Sequence, residues 1–294
     1  MNTHITLNNG VRMPVLGMGT YAAGEATAGA VRTALQGGYR LVDTAAAYFN
    51  ERGVGEGIRA SGVSREDVFL TTKLWMTDHG YDSALRAFDT SLAKLGTDYL
   101  DLWLIHWPYP ARAERTLDAY RAAERLLAEG RVRAIGVSNH TAQTLDGFVE
   151  RTGIVPAVNQ VELHPFFQQR DLQALNTRHG IITQSWSPLC GFNANSPEPD
   201  PELDPLANDI IGAIAARHGR SAAQVVLRWH LQQGRVVIPK SIDPAHIAQN
   251  IDVFGFELGA DDLAAIAELD TGRRGGPEPV DVTPLVIDLT IDEA

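Results

Sequence analysis

The chain has 294 residues, 44% hydrophobic and 21% charged, an ordinary globular mixture with material for one large core. A formal net charge of −11 excludes general nucleic-acid binding, which needs a basic surface, and no apolar run approaches the roughly 20 residues that span a bilayer. The single cysteine, Cys190, excludes an internal disulfide framework, and the first residues lack a basic-then-apolar leader pattern, so a cytoplasmic protein is expected.

Thr6 to Pro14 reads as a hairpin around Asn9-Gly10, a dipeptide suited to a two-residue turn, so residues 1–14 form an expected N-terminal hairpin. A short strand, Leu16-Gly17-Met18-Gly19, and a helix from Glu25 to Gln36 stopped by Gly37-Gly38 open a repeating pattern. Strand 40–43 and helix 51–60 follow, then strand 68–73 with helix 81–95 and strand 99–105 with helix 114–129. Strand 132–137 and helix 141–151, strand 156–161 and helix 170–178, strand 181–186 and helix 208–218, and strand 236–239 and helix 244–250 complete eight units. The strands are continuous apolar runs, as when both faces are buried, and the helices carry an apolar stripe; Leu117, Tyr120, Leu127 and Ala128 before Gly130 illustrate it.

Strand–helix alternation implies parallel pairing with right-handed crossovers. Eight units predict an α/β fold, a closed (β/α)8 TIM barrel forming a single domain over residues 1–294. A doubly wound dinucleotide fold would carry Gly-x-Gly-x-x-Gly after its first strand; here Gly17-Met18-Gly19 runs into Thr20-Tyr21-Ala22. The proline-rich stretch from Gly191 to Pro205 reads as a long loop on the functional face. Residues 271–294 read as a tail or flap over the barrel mouth. Five cations against one acid between Gly212 and Asn250, in an otherwise acidic chain, mark where an anionic ligand would go.

Functional groups of such barrels gather at the C-terminal ends of the strands. Asp43, Lys73 and His106 stand there, with Tyr48 in the loop after Asp43. A free phenol titrates near about 10, and a neighbouring ammonium lowers that value. Lys73, held by Asp43, is therefore expected to bring Tyr48 down to a useful general acid, with His106 orienting a substrate oxygen. This set lacks an acyl-transfer nucleophile or a glycosidase carboxylate pair and fits carbonyl reduction. The remaining histidines show no ligand spacing, so no metal is expected.

The stretch Gly38-Tyr39-Arg40-Leu41-Val42-Asp43-Thr44-Ala45 with Tyr48 and Asn50-Glu51 resembles the first signature of the aldo-keto reductase family. Thr72-Lys73-Leu74-Trp75, Leu104-Ile105-His106-Trp107-Pro108, Gly136-Val137-Ser138-Asn139, Asn159-Gln160 with Glu162 and His164-Pro165, Trp186-Ser187-Pro188-Leu189 and Ile238-Pro239-Lys240-Ser241 continue it in order, from about Leu16 to Pro277. The branch most resembled contains the 2,5-diketo-gluconic acid reductases. The resemblance implies an NADPH-dependent, metal-free carbonyl reductase with Tyr48 as acid, tuned by Asp43 and Lys73, and His106 as orienting donor. It implies that Ser138, Asn139 and Gln160 hold the nicotinamide carboxamide, that Trp186 stacks on its ring, and that Ser187 and Leu189 belong to the cofactor site.

At the phosphate end the chain departs from that pattern. Lys240-Ser241 and Asn250 are kept, but His246 stands where an arginine is usual and Gln249 where a glutamate is usual. Arginine grips phosphate with a planar, permanently charged fork, whereas histidine is mostly neutral at pH 7. Weaker discrimination against NADH, or dual use, is expected. Tyr21, Phe49, Trp75 and Trp107 would line the pocket of a small-molecule carbonyl substrate. The family habit is a monomer, with a dimer as the alternative. Two rival readings share the scaffold: a non-catalytic nucleotide-binding or structural protein, and a barrel isomerase or aldolase with Lys73 as Schiff-base lysine.

Overall fold

In the computed structural model, which describes residues 2–190, 200–280 and 289–291, the apolar runs become a parallel barrel. Its strands are β3 (Met18–Gly19), β4 (Leu41–Asp43), β5 (Phe69–Leu74), β6 (Leu100–Ile105), β7 (Val132–Ser138), β8 (Val158–Glu162), β9 (Ile182–Trp186) and β10 (Val236–Val237). They pair in sequence order as one parallel sheet. A parallel bridge from Leu16 to Val237, reinforced by Gly17 N–H to the Val237 carbonyl at 2.8 Å, joins the first strand to the last. Every residue of β5 and β6 is buried, which is why these segments lack an alternating pattern.

The expected helices are α1 (Thr27–Gln36), α2 (Glu51–Ser61), α3 (Tyr81–Leu95), α4 (Ala113–Ala128), α5 (Ala142–Val149), α6 (Arg170–Arg178), α7 (Asp209–His218) and α9 (Pro244–Ile251). In α3 the buried Ala84, Phe88, Ser91, Leu92 and Leu95 form one stripe, and left-handed Gly96 ends the helix with its N–H on the Leu92 carbonyl. Phe88 meets Trp103 of β6 edge-to-face at 5.0 Å. Complete burial of such a ring stabilises by roughly 1.5–3 kcal/mol.

Two helices escaped the sequence reading, α8 (Ala222–Gln232) and α10 (Ala260–Ala267). Gln224 to Leu231 are all buried, and the polar stripe of α8 is confined to Gln224, Arg228 and Gln232 at helical spacing. Its local signal is the capping box of Ser221 and Gln224.

The N-terminal hairpin pairs β1 (His4–Thr6) with β2 (Arg12–Pro14), antiparallel. The expected two-residue turn is corrected here. The Leu7 N–H reaches the Val11 carbonyl, the Gly10 N–H reaches the Leu7 carbonyl, and Gly10 takes the left-handed conformation, a longer loop with a glycine bulge. The hairpin floors the barrel: Leu7 and Met13 pack with Leu41, Phe69, Leu102, Leu104 and Val236. No described helix is long and apolar enough to cross a membrane.

Candidate active site

Asp43 and Lys73 end adjacent parallel strands, and Tyr48 follows in the 3-10 turn Ala46–Tyr48. Asn50 fixes the loop that carries the phenol. Its Nδ2 donates to the Thr20 carbonyl, and its Oδ1 accepts from Thr44 Oγ1, both at 2.8 Å. Lys73, fully buried, places Nζ 2.5 Å from Asp43 Oδ1, 2.9 Å from the Thr44 carbonyl and 3.3 Å from the Tyr48 hydroxyl. His106 presents its ring 5.6 Å from that of Tyr48 and 5.0 Å from Trp75, both edge-on, and stacks beside Trp107. The four residues expected to converge do so.

The electrostatics differ from expectation at one point. Burial raises the Tyr48 pKa, the Lys73 ammonium opposes it, and the net direction is upward rather than downward. The phenol is thus held protonated at neutral pH. Burial works against both charges of the Asp43–Lys73 pair, but Asp43 and Tyr48 together lift the Lys73 pKa and keep the ammonium charged. Burial, with the Lys73 charge behind it, pushes His106 well below the usual imidazole range, so His106 is neutral, and its buried Nδ1 has no partner among the described residues.

Around these four lie the residues singled out for a nicotinamide. Asn139 Nδ2 donates to the His106 carbonyl at 2.9 Å and to Ser138 Oγ at 3.2 Å, while Trp186 Nε1 donates to Asn139 Oδ1 at 2.8 Å. Asn139, Ser187, Phe49 and Cys190 have left-handed backbone, all in loops just beyond strand tips. Leu189 packs between two apolar clusters under the same loop. Gln160 Nε2 donates to Asp43 Oδ2 at 2.7 Å and to Gln184 Oε1 at 2.9 Å. Both its amide hydrogens are committed, leaving its carbonyl oxygen for any ligand, a restriction absent from the sequence reading.

At the far end, Lys240 and His246 are exposed, Ser241 is half-buried and Gln249 and Asn250 follow on α9. Asp243, which the sequence reading passed over, caps α9: its Oδ1 accepts from the N–H groups of Ala245 at 2.7 Å and His246 at 3.3 Å. Those bonds lower its pKa. A helix N-terminus that would attract an anion is therefore already occupied by a carboxylate. The Asp-Pro pair ahead of an apolar period was the available signal.

Trp75 and Trp107 are buried and pack with Met76; Ala47, Tyr109, Trp186, Leu289 and Ile291 lie against them. Tyr21 and Phe49 are more than half exposed and form the rim. The chain after α10 returns to this face. The carboxylate of Glu162, at the tip of β8, accepts from the Gly275 N–H at 2.6 Å, the Gly276 N–H and His164 Nε2. Arg273 ties the tail to Asp200 at 2.7 Å and to Glu202 in the β9 loop. Residues 191–199 of that loop, and 281–288 and 292–294 of the tail, lie outside the described residues. Among the described residues no cluster of His, Cys, Asp and Glu is arranged to hold a metal.

The sequence matches the aldo/keto reductase family over residues 15–271. It is 52% identical to a morphine 6-dehydrogenase of Pseudomonas putida over 281 residues, 95% of each chain. It is 44% identical to the methylglyoxal reductase DkgA of Escherichia coli (strain K12) over 278 residues, 94% of this chain and 97% of the relative. Among solved structures, a mutant of Gox0644 in complex with NADPH superposes with a TM-score of 0.86 at 44% identity, covering 95% of this chain and 98% of that one.

Proposed function

The chain belongs to the aldo/keto reductase family, and from that premise we propose that it reduces an aldehyde or ketone to the alcohol with NADPH, Tyr48 being the proton donor. The observation that carries this reading is the contact of Lys73 Nζ with both Asp43 Oδ1 and the Tyr48 hydroxyl beneath an aromatic mouth. The mouth suits a nicotinamide: with the Asn139 and Gln160 amide hydrogens and the Ser138 hydroxyl already committed, Asn139 Oδ1 and the oxygen of Gln160 offer acceptors for the N–H groups of a carboxamide, and Trp186 offers a flat wall. When bound, NADPH supplies the hydride.

The chain's own residues do the rest. His106, neutral and confined between Trp75 and Trp107, donates a hydrogen bond that fixes the carbonyl oxygen near the phenol. Tyr48 gives that oxygen its proton as negative charge develops there. Lys73 stabilises the tyrosinate left behind, and Asp43 keeps Lys73 charged and aimed. Solvent returns the proton before the next turnover. Trp75 and Trp107, with Tyr21 and Phe49 at the rim, favour apolar or planar carbonyl compounds. The tail, through Gly276, Leu289 and Ile291, acts as a flap over this mouth. The site's described residues all come from one chain, which suits a monomer.

The test of the function is paired. NADPH should quench tryptophan fluorescence, and NADPH absorbance should fall when a small aldehyde such as methylglyoxal is added. Absence of nucleotide binding at micromolar concentration would remove this reading in favour of a non-catalytic barrel.

Lys240, Ser241, His246, Gln249 and Asn250 meet the adenosine end, where His246 and the Asp243 cap weaken the grip on a 2′-phosphate. His246→Arg should raise the NADPH-to-NADH ratio of kcat/KM by about tenfold or more, since a charge-assisted bond contributes roughly 1.5–3 kcal/mol. An unchanged ratio would show that this position does not read the phosphate.

The flap can be probed at Gly276. A Cβ there would stand 2.4 Å from Trp186 Cη2 and 2.9 Å from Glu162 Oε2. Gly276→Ala must displace the indole or the tail, and overpacking of this kind costs about 1–3 kcal/mol. We expect shifted tryptophan emission and NADPH binding weakened at least severalfold. Unaltered emission and affinity would mean that the tail does not bear on the ring.

A further inference from the structure

A second cavity, of about 250 Å³, opens on the outer wall of the barrel between α6, α8 and α10. None of its residues belongs to the mouth. Gln168, Arg170 and Gln173 line it from the start of α6, Trp229 and Gln233 from the end of α8, and Arg235 from the turn into β10. Two of these are cations in a strongly acidic protein.

Arg235 is only 6% exposed. Its Nε donates to Gln173 Oε1 at 2.8 Å, and its guanidinium lies 4.3 Å over the Trp229 ring. Its buried Nη1 has no hydrogen-bond partner among the described residues. Burial draws its pKa down to about 9, helped by the like charge of Arg170, and leaves it charged at neutral pH. Stacking on Trp229 offsets part of the cost of burying that charge but supplies no acceptor for the orphaned N–H.

Arg170 is better provided for. Its Nη2 donates to the Ala267 carbonyl at 2.6 Å and to Gln168 Oε1 at 3.4 Å, and its Nε faces Asp270 Oδ2 at 3.5 Å. With Asp270 drawn to Arg170, Arg235 is the guanidinium left without a counter-charge among the described residues. Its planar fork is the shape that grips an oxyanion through paired N–H bonds. Arg170 and Gln173 also belong to the first turn of the nine-residue α6, where the Asp171 carboxylate already offsets the positive helix end.

We propose that this cavity binds a small phosphate-class oxyanion, orthophosphate or the phosphate end of a small phosphorylated metabolite, held by Arg235 and assisted by Arg170. The anion accepts from the Arg235 guanidinium where it lines the cavity and supplies the counter-charge that Arg235 lacks among the described residues. Its volume leaves room for a short organic group beside the phosphate.

The test uses the full chain saturated with NADP⁺, so that phosphate contacts belonging to the cofactor are already filled. At constant ionic strength, inorganic phosphate replaces chloride while thermal unfolding is followed in wild type, Arg235→Leu and Arg170→Gln. The expected result is a saturable rise in wild-type Tm of about 2–4 °C, absent in Arg235→Leu and reduced in Arg170→Gln. Glycerol phosphate forms a second arm: a larger rise at equal concentration identifies a phosphate ester as the occupant, and an equal or smaller one identifies the free anion. An equal rise in all three proteins is the general effect of an excluded salt and overturns the proposal, as does no rise in wild type. Should Arg235→Leu fail to fold, Arg170→Gln decides alone. Its side chain is 61% exposed, and phosphate line broadening by ³¹P magnetic resonance in that variant must fall below the wild-type value.

Discussion

Tyr48→Phe lowers kcat by about 10²–10⁴-fold, the typical share of a general acid, while NADPH still quenches tryptophan fluorescence to the wild-type extent. The hydroxyl is the group removed, and the ring that packs against Tyr21 and His106 is kept. The proposed cofactor contacts are untouched because Ser138, Asn139 and Trp186 form their own hydrogen-bonded set. The pH profile sharpens the point. A raised Tyr48 pKa leaves the proton-bearing form dominant through neutral pH, so wild-type reduction stays level there and declines only as pH climbs through that raised value. A Phe variant with near-wild-type kcat would move the proton donor elsewhere, with His106 the next candidate.

Lys73→Met carries the second large effect, on stability as well as rate. It leaves the Asp43 carboxylate 1% exposed with Gln160 as its remaining side-chain partner. Breaking a buried pair on one side costs about 3–5 kcal/mol, because the surviving charge is uncompensated. For a chain of this size that corresponds to a Tm loss of roughly 10 °C. The double variant Asp43→Asn with Lys73→Met should recover most of the Tm but none of the activity, separating the cost of the orphaned charge from the catalytic role. The sign of the pH effect follows. Without Lys73, burial raises the folded-state pKa of Asp43 above its unfolded value, so the deficit shrinks as pH falls and Asp43 takes up a proton. Equal Tm values for the single and double variants would show that Asp43 is not carrying an uncompensated charge.

Much of this architecture was legible in the chain. The alternation of apolar runs with amphipathic stripes placed eight strands and eight helices within a few residues of where they stand, because each pattern reflects a local period and local burial. α8 was missed although Gln224, Arg228 and Gln232 recur at helical spacing, because all three interrupt an otherwise apolar run whose residues 224–231 are buried. The Asn9-Gly10 turn was placed correctly and typed wrongly, since the choice between a two-residue turn and a glycine bulge is made by the register of the flanking strands.

By itself the sequence determined the strand tips, and with them the convergence of Asp43, Lys73 and His106 beside Tyr48. The parallel barrel brings the C-terminal ends of successive strands to one face whatever the loops do. Only the tertiary structure decided that burial outweighs Lys73 at the Tyr48 phenol, that Gln160 is tied to Asp43, that Gly276 presses on Trp186, and that Arg235 keeps an unpaired N–H. Each depends on contacts between distant positions: Gln160 and Asp43 are 117 residues apart, and Gly275 and Glu162 are 113 apart. Desolvation and hydrogen-bond commitment are properties of the surrounding volume, and a local period carries no record of what fills it.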